Sequence, residues 1–566
     1  MLEKSNGFRR QLVAYLLSLL LTYSLTATAH IGSAGVVVQK QAGNYQLLIS
    51  IKPPDVVPGT AGITVFVEQG RVSTIGARPI YFNAGDKGAP THDILKSISA
   101  SRYEGDVWLM ESGSSSIELS IDGPDGKQQI VVPVMAVATA LRDMPEGTGI
   151  GLAAMGVLLI VMLITIIGAS NADALVSPGH QIPTTLRRRR WLGMGIGLTM
   201  VTLLLTGWRS WWTSKAEDYR NVQLYRPMSI HASIRTIDGQ RQLSILFDTT
   251  SFGKSRRNRR TLSYLIPDHG KLMHTFMVRI PGLDAFAHLH PNRNDTLHYA
   301  ATLPLLPGGK YILFSDVVYR SGFAETLTDT VDVPSPKTMA ETAANVKPSD
   351  PRATDRDDSW LVAESMGVKA NAVNVPHLDN DMVVCGKPGA STKLSDGSSM
   401  LWMDKPAQIL EAGKLYTLKF AVADSVGKAT PLEPYLGMDG HAVILRSDGS
   451  VYIHLHPVGT YSMAAEESLV RRISDTARTF RYPNATRFRD SIDAYVAKLK
   501  ALPESEKNQL LMAEMPDMSH PMKTNNMVEF PYAFPRAGHY RIWVQVKRNG
   551  RVLTGVFDTQ VDESLL

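Results

Sequence analysis

Cysteine is almost missing from this sequence of 566 residues, in which Cys385 stands alone. A single cysteine cannot form an intrachain disulfide, so the stability of the fold must come from apolar cores or bound ions. Motifs of known catalytic sites are missing too, since the chain has no Gly-x-Ser-x-Gly, P-loop, dinucleotide fingerprint or Cys-x-x-Cys. We therefore expect a protein that is not an enzyme.

The excess of positive over negative charge is small and is concentrated in short runs. The net charge is +6, and basic residues cluster at residues 187–190 and 256–260, while acidic and aromatic residues are spread along the chain. This pattern does not indicate nucleic-acid binding. The chain is too long to fold around one ordinary hydrophobic core, so its length predicts about three or four domains.

The N-terminus has the order of an export signal. A positive patch at Lys4, Arg9 and Arg10 precedes the apolar run LVAYLLSLLLTYSL and the small residues TATA. This order is typical of a secretory signal peptide, here with cleavage after Ala29. The run is also almost long enough to remain uncleaved, so residues 1–29 are predicted as a signal peptide or an N-terminal anchor.

Two further apolar stretches, residues 147–169 and 191–208, are predicted to cross a membrane, because about 20 apolar residues span a bilayer. The loop between them, residues 170–190, ends in four arginines, and the positive-inside rule places such a loop in the cytoplasm. A tryptophan cluster at 208–212 would mark the outer interface. The predicted location is the bacterial cytoplasmic (inner) membrane, multi-pass, with domains facing the periplasm.

The exported parts have the pattern of β-structure. In residues 30–146, short β-branched and aromatic runs alternate with Gly, Pro and Asp-Gly turns, as in an all-β sandwich. Residues 209–335 repeat this style, and residues 336–375 are predicted as a flexible linker in which paired carboxylates such as Asp357 and Asp358 are solvated charges. A third β unit covers 376–566, with a helical, methionine-rich insertion at 464–526. The predicted fold class is mainly β, with several Ig-like or cupredoxin-like sandwiches and two transmembrane helices.

The second and third units share two blocks of sequence in the same order. Their final strands correspond, because GGKYILFSDVVYRSG (308–322) parallels AGHYRIWVQVKRNG (537–550). Their other common block is a hairpin with three histidines, HTFMVRIPGLDAFAHLHP (274–291) and HAVILRSDGSVYIHLHP (441–457). An internal domain duplication explains both.

The hairpin loops predict which histidines share a face. A two-residue turn at 448–449 places His441 opposite His456, and His454 lies on the same face because strand side chains alternate. The earlier copy is one residue longer, and a three-residue loop at 281–283 restores the arrangement. The candidate metal ligands are His274, His288 and His290 in one domain and His441, His454 and His456 in the other.

Three neutral imidazoles suit Cu(II), Zn(II) or Ni(II). We expect each hairpin to hold its own ion at the rim of its sandwich core, and the alternative is that the histidines are hydrogen-bonded structural residues without an ion. Further donors precede the two hairpins, namely Asp268, His269, Met273, Met438 and Asp439.

A family resemblance supports the metal hypothesis. PDHGKLMHTFMVRIPGLDAFAHLHP, YLGMDGHAVILRSDGSVYIHLHP and FPYAFPRAGHYRIWVQVKRNGRV resemble the YtkA-like domains of bacterial envelope proteins, which are β-sandwiches related in style to the CopC-like copper-resistance proteins. The resemblance covers residues 222–335 and 396–562, and it implies a sandwich fold and copper handling. CopC-like proteins use a mature N-terminal histidine as a copper ligand, a place that His30 would take after cleavage.

A methionine-rich stretch, LMAEMPDMSHPMKTNNM, offers a second kind of ligand. Thioether sulfur is soft and selects Cu(I), although methionine also serves as adaptable packing material. The candidate Cu(I) ligands are Met512, Met515, Met518, His520 and Met522.

Together these patterns predict a membrane-anchored periplasmic protein that binds copper, or another imidazole-preferring divalent metal, for storage, delivery or resistance. Its partner would be a metal acceptor or another envelope protein, and not a nucleic acid. The alternative is a non-enzymatic scaffold or sensor whose sandwiches bind a protein partner without metal.

Overall fold

The structure is a computed structural model that describes residues 30–31, 35–141, 144–237, 240–251, 261–335, 355–366, 382–383, 389–404, 409–477, 479–513 and 526–564. The fold class predicted from the sequence is confirmed, because the described chain is mainly β-sheet packed as sandwiches, with two long apolar helices. Short 3-10 segments lie at Asp86–Gly88, Asp173–Leu175, Thr249–Ser251 and Leu262–Tyr264, and a π turn lies at Tyr219–Gln223.

The first module, residues 36–136, packs a five-stranded sheet on a four-stranded sheet. In the strand Tyr45–Lys52, side chains alternate between buried and partly exposed, as they do when one face of a sheet covers a core. The strands up to this point are β1 (His30–Ile31), β2 (Val36–Ala42), β3 (Tyr45–Lys52), β4 (Gly59–Gln69), β5 (Thr74–Tyr81), β6 (Asp93–Ile94), β7 (Lys96–Ser99), β8 (Arg102–Leu109), β9 (Gly113–Gly123) and β10 (Gly126–Ala136).

Two helices that are long and apolar enough to cross a membrane follow this module, α1 (Glu146–Asn171) and α2 (Thr184–Asp218). Most of their apolar side chains are exposed, which separates them from the core helices of a soluble domain. Helix α2 begins before the four arginines and continues beyond the tryptophan cluster. Its 35 residues extend about 52 Å, so it is longer than the predicted span.

The second module packs a four-stranded sheet, ordered β11-β12-β17-β16, on a seven-stranded sheet. The larger sheet runs β13-β18-β14-β15-β20-β21, and β19 pairs with β18. Its strands are β11 (Ile230–Ile237), β12 (Gln240–Phe247), β13 (Leu265–Ile266), β14 (His274–Arg279), β15 (Ala285–Leu289), β16 (Asn292–Arg293), β17 (His298–Thr302), β18 (Gly309–Tyr319), β19 (Ala324–Val333), β20 (Ser359–Ala363) and β21 (Met382–Val383).

Part of the segment predicted as a linker belongs to this sheet, so the linker interpretation of 336–375 is wrong for residues 355–366. Strand β20 pairs antiparallel with β15, and Asp355 and Asp357 are buried rather than solvated. The composition of the segment did not predict the five-residue strand β20. Its pairing partner, β15, lies about 70 residues earlier in the chain. A pairing over that distance leaves no local pattern.

The third module packs a sheet ordered β1-β27-β26-β29-β30-β24 on a four-stranded sheet ordered β22-β23-β25-β28. Three helices connect β27 to β28, namely α3 (Met463–Ser474), α4 (Ala485–Ala501) and α5 (Glu504–Ala513). The strands are β22 (Ser391–Lys393), β23 (Ser399–Trp402), β24 (Leu410–Glu411), β25 (Leu415–Ala423), β26 (His441–Arg446), β27 (Val451–Leu455), β28 (Met527–Ala533), β29 (Gly538–Arg548) and β30 (Arg551–Asp562).

The second and third modules have the same strand order around their hairpins. The order β15-β14-β18-β19 in one sheet matches β27-β26-β29-β30 in the other. The first module also contacts the third, since Met438, Tyr461 and Met463 join its apolar core. Strand β1 pairs in parallel with β27, so residues 30–31 lie in the third module's sheet and not in the predicted first domain.

Candidate metal centre

The histidine hairpins have the registers that their loop lengths predict. In the second module Phe276 lies opposite His288, and in the third Val443 lies opposite His454. The last pairs of these ladders are Thr275 with Leu289 and Ala442 with Leu455. The next pair in each register places His274 across from His290 and His441 across from His456. Each hairpin therefore presents three imidazoles on one face.

The two hairpin faces pack against each other, and this was not expected. An apolar layer joins the modules, which we call the intermodular core: Phe276, Val278, Leu283, Phe286, Phe314, Leu361, Ala363, Val443, Leu445, Tyr452, Trp543 and Val556. The histidines do not lie at two separate rims as predicted, because each hairpin face covers the other from water. The predicted set of His274, His288 and His290 nevertheless stays together as one group. All the hairpin histidines end in one buried cluster.

The contacts across the intermodular core are reciprocal. Phe286 of the second module stacks on Trp543 of the third at 4.9 Å, and Tyr452 of the third stacks on Phe314 of the second at 4.0 Å. These residues occupy corresponding positions in the two copies. Reciprocal contact of equivalent surfaces is the property of an isologous dimer. Here a duplicated module forms that pair within one chain.

Seven buried imidazoles make up what we call the histidine centre: His269, His274, His288, His290, His441, His454 and His456. His269 comes from the loop before β14 and was noted in the sequence only as a nearby donor. Ligand atoms lie within 4.8 Å of one another in two groups of three, His274 with His288 and His290, and His269 with His441 and His456.

His454 lies between these groups, so the predicted set of His441, His454 and His456 is altered. Its ring centroid is 5.4 Å from that of His274, 5.4 Å from that of His441 and 4.6 Å from that of His456. The distance from His454 to His274 across the modules therefore equals its distance to His441 within the same hairpin.

Acceptors around the centre orient the rings of the first group. The His274 Nε2 atom lies 3.1 Å from the Asp268 backbone oxygen, and the His288 Nδ1 atom lies 2.9 Å from Gln545 Oε1. The Nδ1 atom of His290 lies 2.9 Å from Asp358 Oδ1. Each of these oxygens accepts a hydrogen bond from the ring N–H, so the opposite nitrogen of each ring carries a lone pair that points inward.

In the second group, His269 and His456 have similar support, whereas neither ring nitrogen of His441 has a hydrogen-bond partner among the described residues. The Nδ1 atom of His456 donates to the Tyr461 backbone oxygen at 2.9 Å, and His269 hydrogen-bonds to the backbone of Leu436. The Nδ1 atom of His454 lies 3.4 Å from Asp316 Oδ2. Asp316 and Gln545 occupy corresponding positions, opposite His274 and His441, and each supports a histidine of the other module. Polar residues at the same place in two corresponding strands were the sequence signal for this pair.

Six buried ring nitrogens have no hydrogen-bond partner among the described residues: His269 Nε2, His290 Nε2, His441 Nδ1, His441 Nε2, His454 Nε2 and His456 Nε2. In addition, His274 Nδ1 and His288 Nε2 face each other at 3.1 Å, although the outer acceptors leave a lone pair on both. A buried polar atom without a partner costs about 1–3 kcal/mol. Metal ions bound to the unprotonated nitrogens would supply the partners that those atoms lack.

Burial keeps the imidazoles neutral. Desolvation lowers the pKa of His274 and His290 to about 3 and that of His456 to about 4. The same cause lowers the pKa of the other four rings, with further lowering from neighbouring histidines at His288, His441 and His454. Neutral imidazole is the form that binds metal ions.

An ion network holds the segment that supports His290. Asp357 lies 2.8 Å from Lys271 Nζ and 3.0 Å from Lys507 Nζ, on helix α5. Burial would raise the pKa of Asp357, but the two lysines outweigh it and hold this pKa well below its usual range. The interpretation of Asp357 and Asp358 as solvated charge is therefore wrong. The predicted insertion reaches the centre through this network.

A cavity of about 320 Å³ between all three modules opens onto the centre, with His274, His454 and His456 in its wall. Asp316 also lines it, accepts a hydrogen bond from the Tyr452 hydroxyl at 3.0 Å, and has its pKa raised to about 7 by burial. Most of the remaining wall is apolar.

Among the other predicted ligands, only Met512 has a described side chain. The backbone of His30 pairs with Val451 in β27, and its side chain lies outside the described residues. Met512 is partly buried in α5, whereas Met515, Met518, His520 and Met522 lie outside the described residues.

Comparisons with known proteins leave the family open. One family profile, a domain of unknown function (DUF8832), matches residues 393–483 and 517–563, which leaves out the whole of α4 and α5. No curated protein matches.

Similar solved structures include a tetra-tandem repeat from the extending region of a large adhesion protein, with 9% identity, TM-score 0.14, and coverage of 91% of this chain and 74% of that one. A bacterial ice-binding adhesin matches with 6% identity and TM-score 0.13 over 92% and 99%. A membrane-anchored protein from Corynebacterium diphtheriae matches with 9% identity and TM-score 0.13 over 93% and 95%. Scores this low carry no argument about function.

Proposed function

We propose that this protein binds imidazole-preferring metal ions, with copper as the leading candidate, in the histidine centre between its second and third modules. It would do so on the periplasmic side of a bacterial cytoplasmic membrane, anchored by α1 and α2, for storage, delivery or resistance. The four arginines between the helices support this orientation.

One observation carries the proposal, namely the convergence of partnerless ring nitrogens in a buried site. In four of the rings, hydrogen bonds on the outer nitrogen determine which nitrogen faces inward, which is how proteins prepare histidines for a metal: His274, His288, His290 and His456. Structural histidines would instead have both ring nitrogens bonded to protein atoms. All-nitrogen ligand sets favour copper, zinc and nickel over magnesium or calcium.

The cavity of about 320 Å³ supports a centre that transfers its metal ion, rather than one that holds a purely structural ion. A structural ion is closed off by its ligands, whereas this centre has three histidines in a cavity wall. A metal acceptor of the envelope is the partner that such a role needs.

The test is copper retention by the full chain purified in detergent. We expect the wild-type protein to keep Cu(II) after desalting, and a His288→Ala plus His456→Ala variant, which removes one ligand from each group of three, to lose most of it. The control removes two exposed histidines, His231 and His539, by the same substitution and should retain copper like the wild type. Equal retention in all three proteins would show that the bound copper lies elsewhere. A folded wild-type chain that retains no copper, zinc or nickel would return the histidines to a structural role in a scaffold.

A further inference from the structure

The turns that precede the two hairpins have the same backbone. Asp268 pairs with Lys271 in the second module as Tyr435 pairs with Met438 in the third. Inside each turn, the second residue has a positive φ, 50° at His269 and 54° at Leu436, and a glycine follows. The duplication therefore extends upstream of the hairpins, and His269 and Leu436 occupy equivalent positions.

The two modules differ in chemistry at this position. His269 reaches across to the third module, where its ring centroid is 5.4 Å from that of His441 and 4.9 Å from that of His456. Leu436 has no ligand atom, so the third module contributes no equivalent ligand to the histidines of the second module. His269 also lines two clefts, of about 260 and 190 Å³, beneath helices α4 and α5.

We propose that the histidine centre holds two metal ions in inequivalent sites, and this inference depends on the metal-binding function proposed above. One site lies within a single hairpin and uses His274, His288 and His290. The other joins two modules and uses His269 with His441 and His456. The intermodular site lies beside the clefts that His269 lines, and it exists only while the modules are docked.

The decisive variant is His269→Leu, which gives the second module the residue that the third already has. Leucine adopts a positive φ at the equivalent turn of this protein, so the backbone tolerates it. We expect the full wild-type chain to bind two equivalents of Cu(II) in a competition titration. In the variant, one dissociation constant should rise at least tenfold while the other changes less than twofold.

Double variants distinguish the loss of one metal site from a general loss of metal binding. Adding His456→Ala to the variant should cause little further loss, because both residues serve one ion, whereas adding His290→Ala should remove the second ion as well. An exposed histidine, His539, changed to leucine is the matched control. Circular dichroism verifies that each variant is folded.

The outcomes distinguish this inference from the proposed function. Two ions bound with unchanged constants in the His269→Leu variant would overturn the inequivalent sites and leave metal binding intact. A wild-type chain that binds one ion would also overturn them. A wild-type chain that binds none would overturn both proposals.

Discussion

Removing Trp543 should separate the two modules and weaken the intermodular metal site. The side chain is 1% exposed and stacks on Phe286 with an angle of 13° between the rings. Truncation of a buried tryptophan to alanine costs about 3–5 kcal/mol, to which the lost stacking contributes about 0.5–1.5 kcal/mol. For a unit of this size, the melting temperature should fall by about 6–20 °C.

The assay is thermal unfolding of the detergent-purified chain carrying Trp543→Ala, followed by Cu(II) titration below the new melting temperature. The matched control is Trp108→Ala in the first module, where the side chain is 60% exposed and truncation should change stability by about 0.5 kcal/mol or less. We expect the ion bound through His269 to be lost before the ion bound within one hairpin. A melting temperature equal to that of the control would refute the claim that the intermodular core holds the modules together.

Two further predictions concern protons and supporting hydrogen bonds. Burial lowers the pKa of the centre's histidines below the value of 6.5 that they regain on unfolding, so the unfolded chain binds more protons between these values. The free energy of unfolding of the metal-free protein should then fall as the pH drops from 6.5 towards 4. The fall is about 1.4 kcal/mol per pH unit for each ring that is neutral in the folded protein and protonated in the unfolded chain. Chelator-treated protein unfolded by denaturant across pH 4–8 measures this, and a flat profile would contradict it. Separately, Gln545→Leu removes the acceptor that orients His288 and should lower copper affinity by about 10–100-fold, with rescue by Gln545→Glu. Unchanged affinity in a titration would show that this hydrogen bond does not prepare the ring.

Local patterns were enough for the elements themselves. Alternating burial in strands such as β3, apolar length in α1 and α2, and turn residues in the hairpins depend on residues close in sequence. For that reason the mainly β fold, the two candidate spans and the facing pairs of histidines could be predicted. The strand β20 could not, because its composition resembles a linker and only its pairing with β15 makes it a strand.

The sequence by itself determined that two hairpins each carry three imidazoles on one face, since side-chain alternation and loop length leave no other arrangement. Only the tertiary structure decided that the two faces meet, that His269 joins the third module's ligands and that Asp358 and Gln545 orient rings. Gln545 and His288 are separated by 257 positions in sequence. Contacts over such distances follow from the burial of two apolar faces against each other, which no local periodicity records.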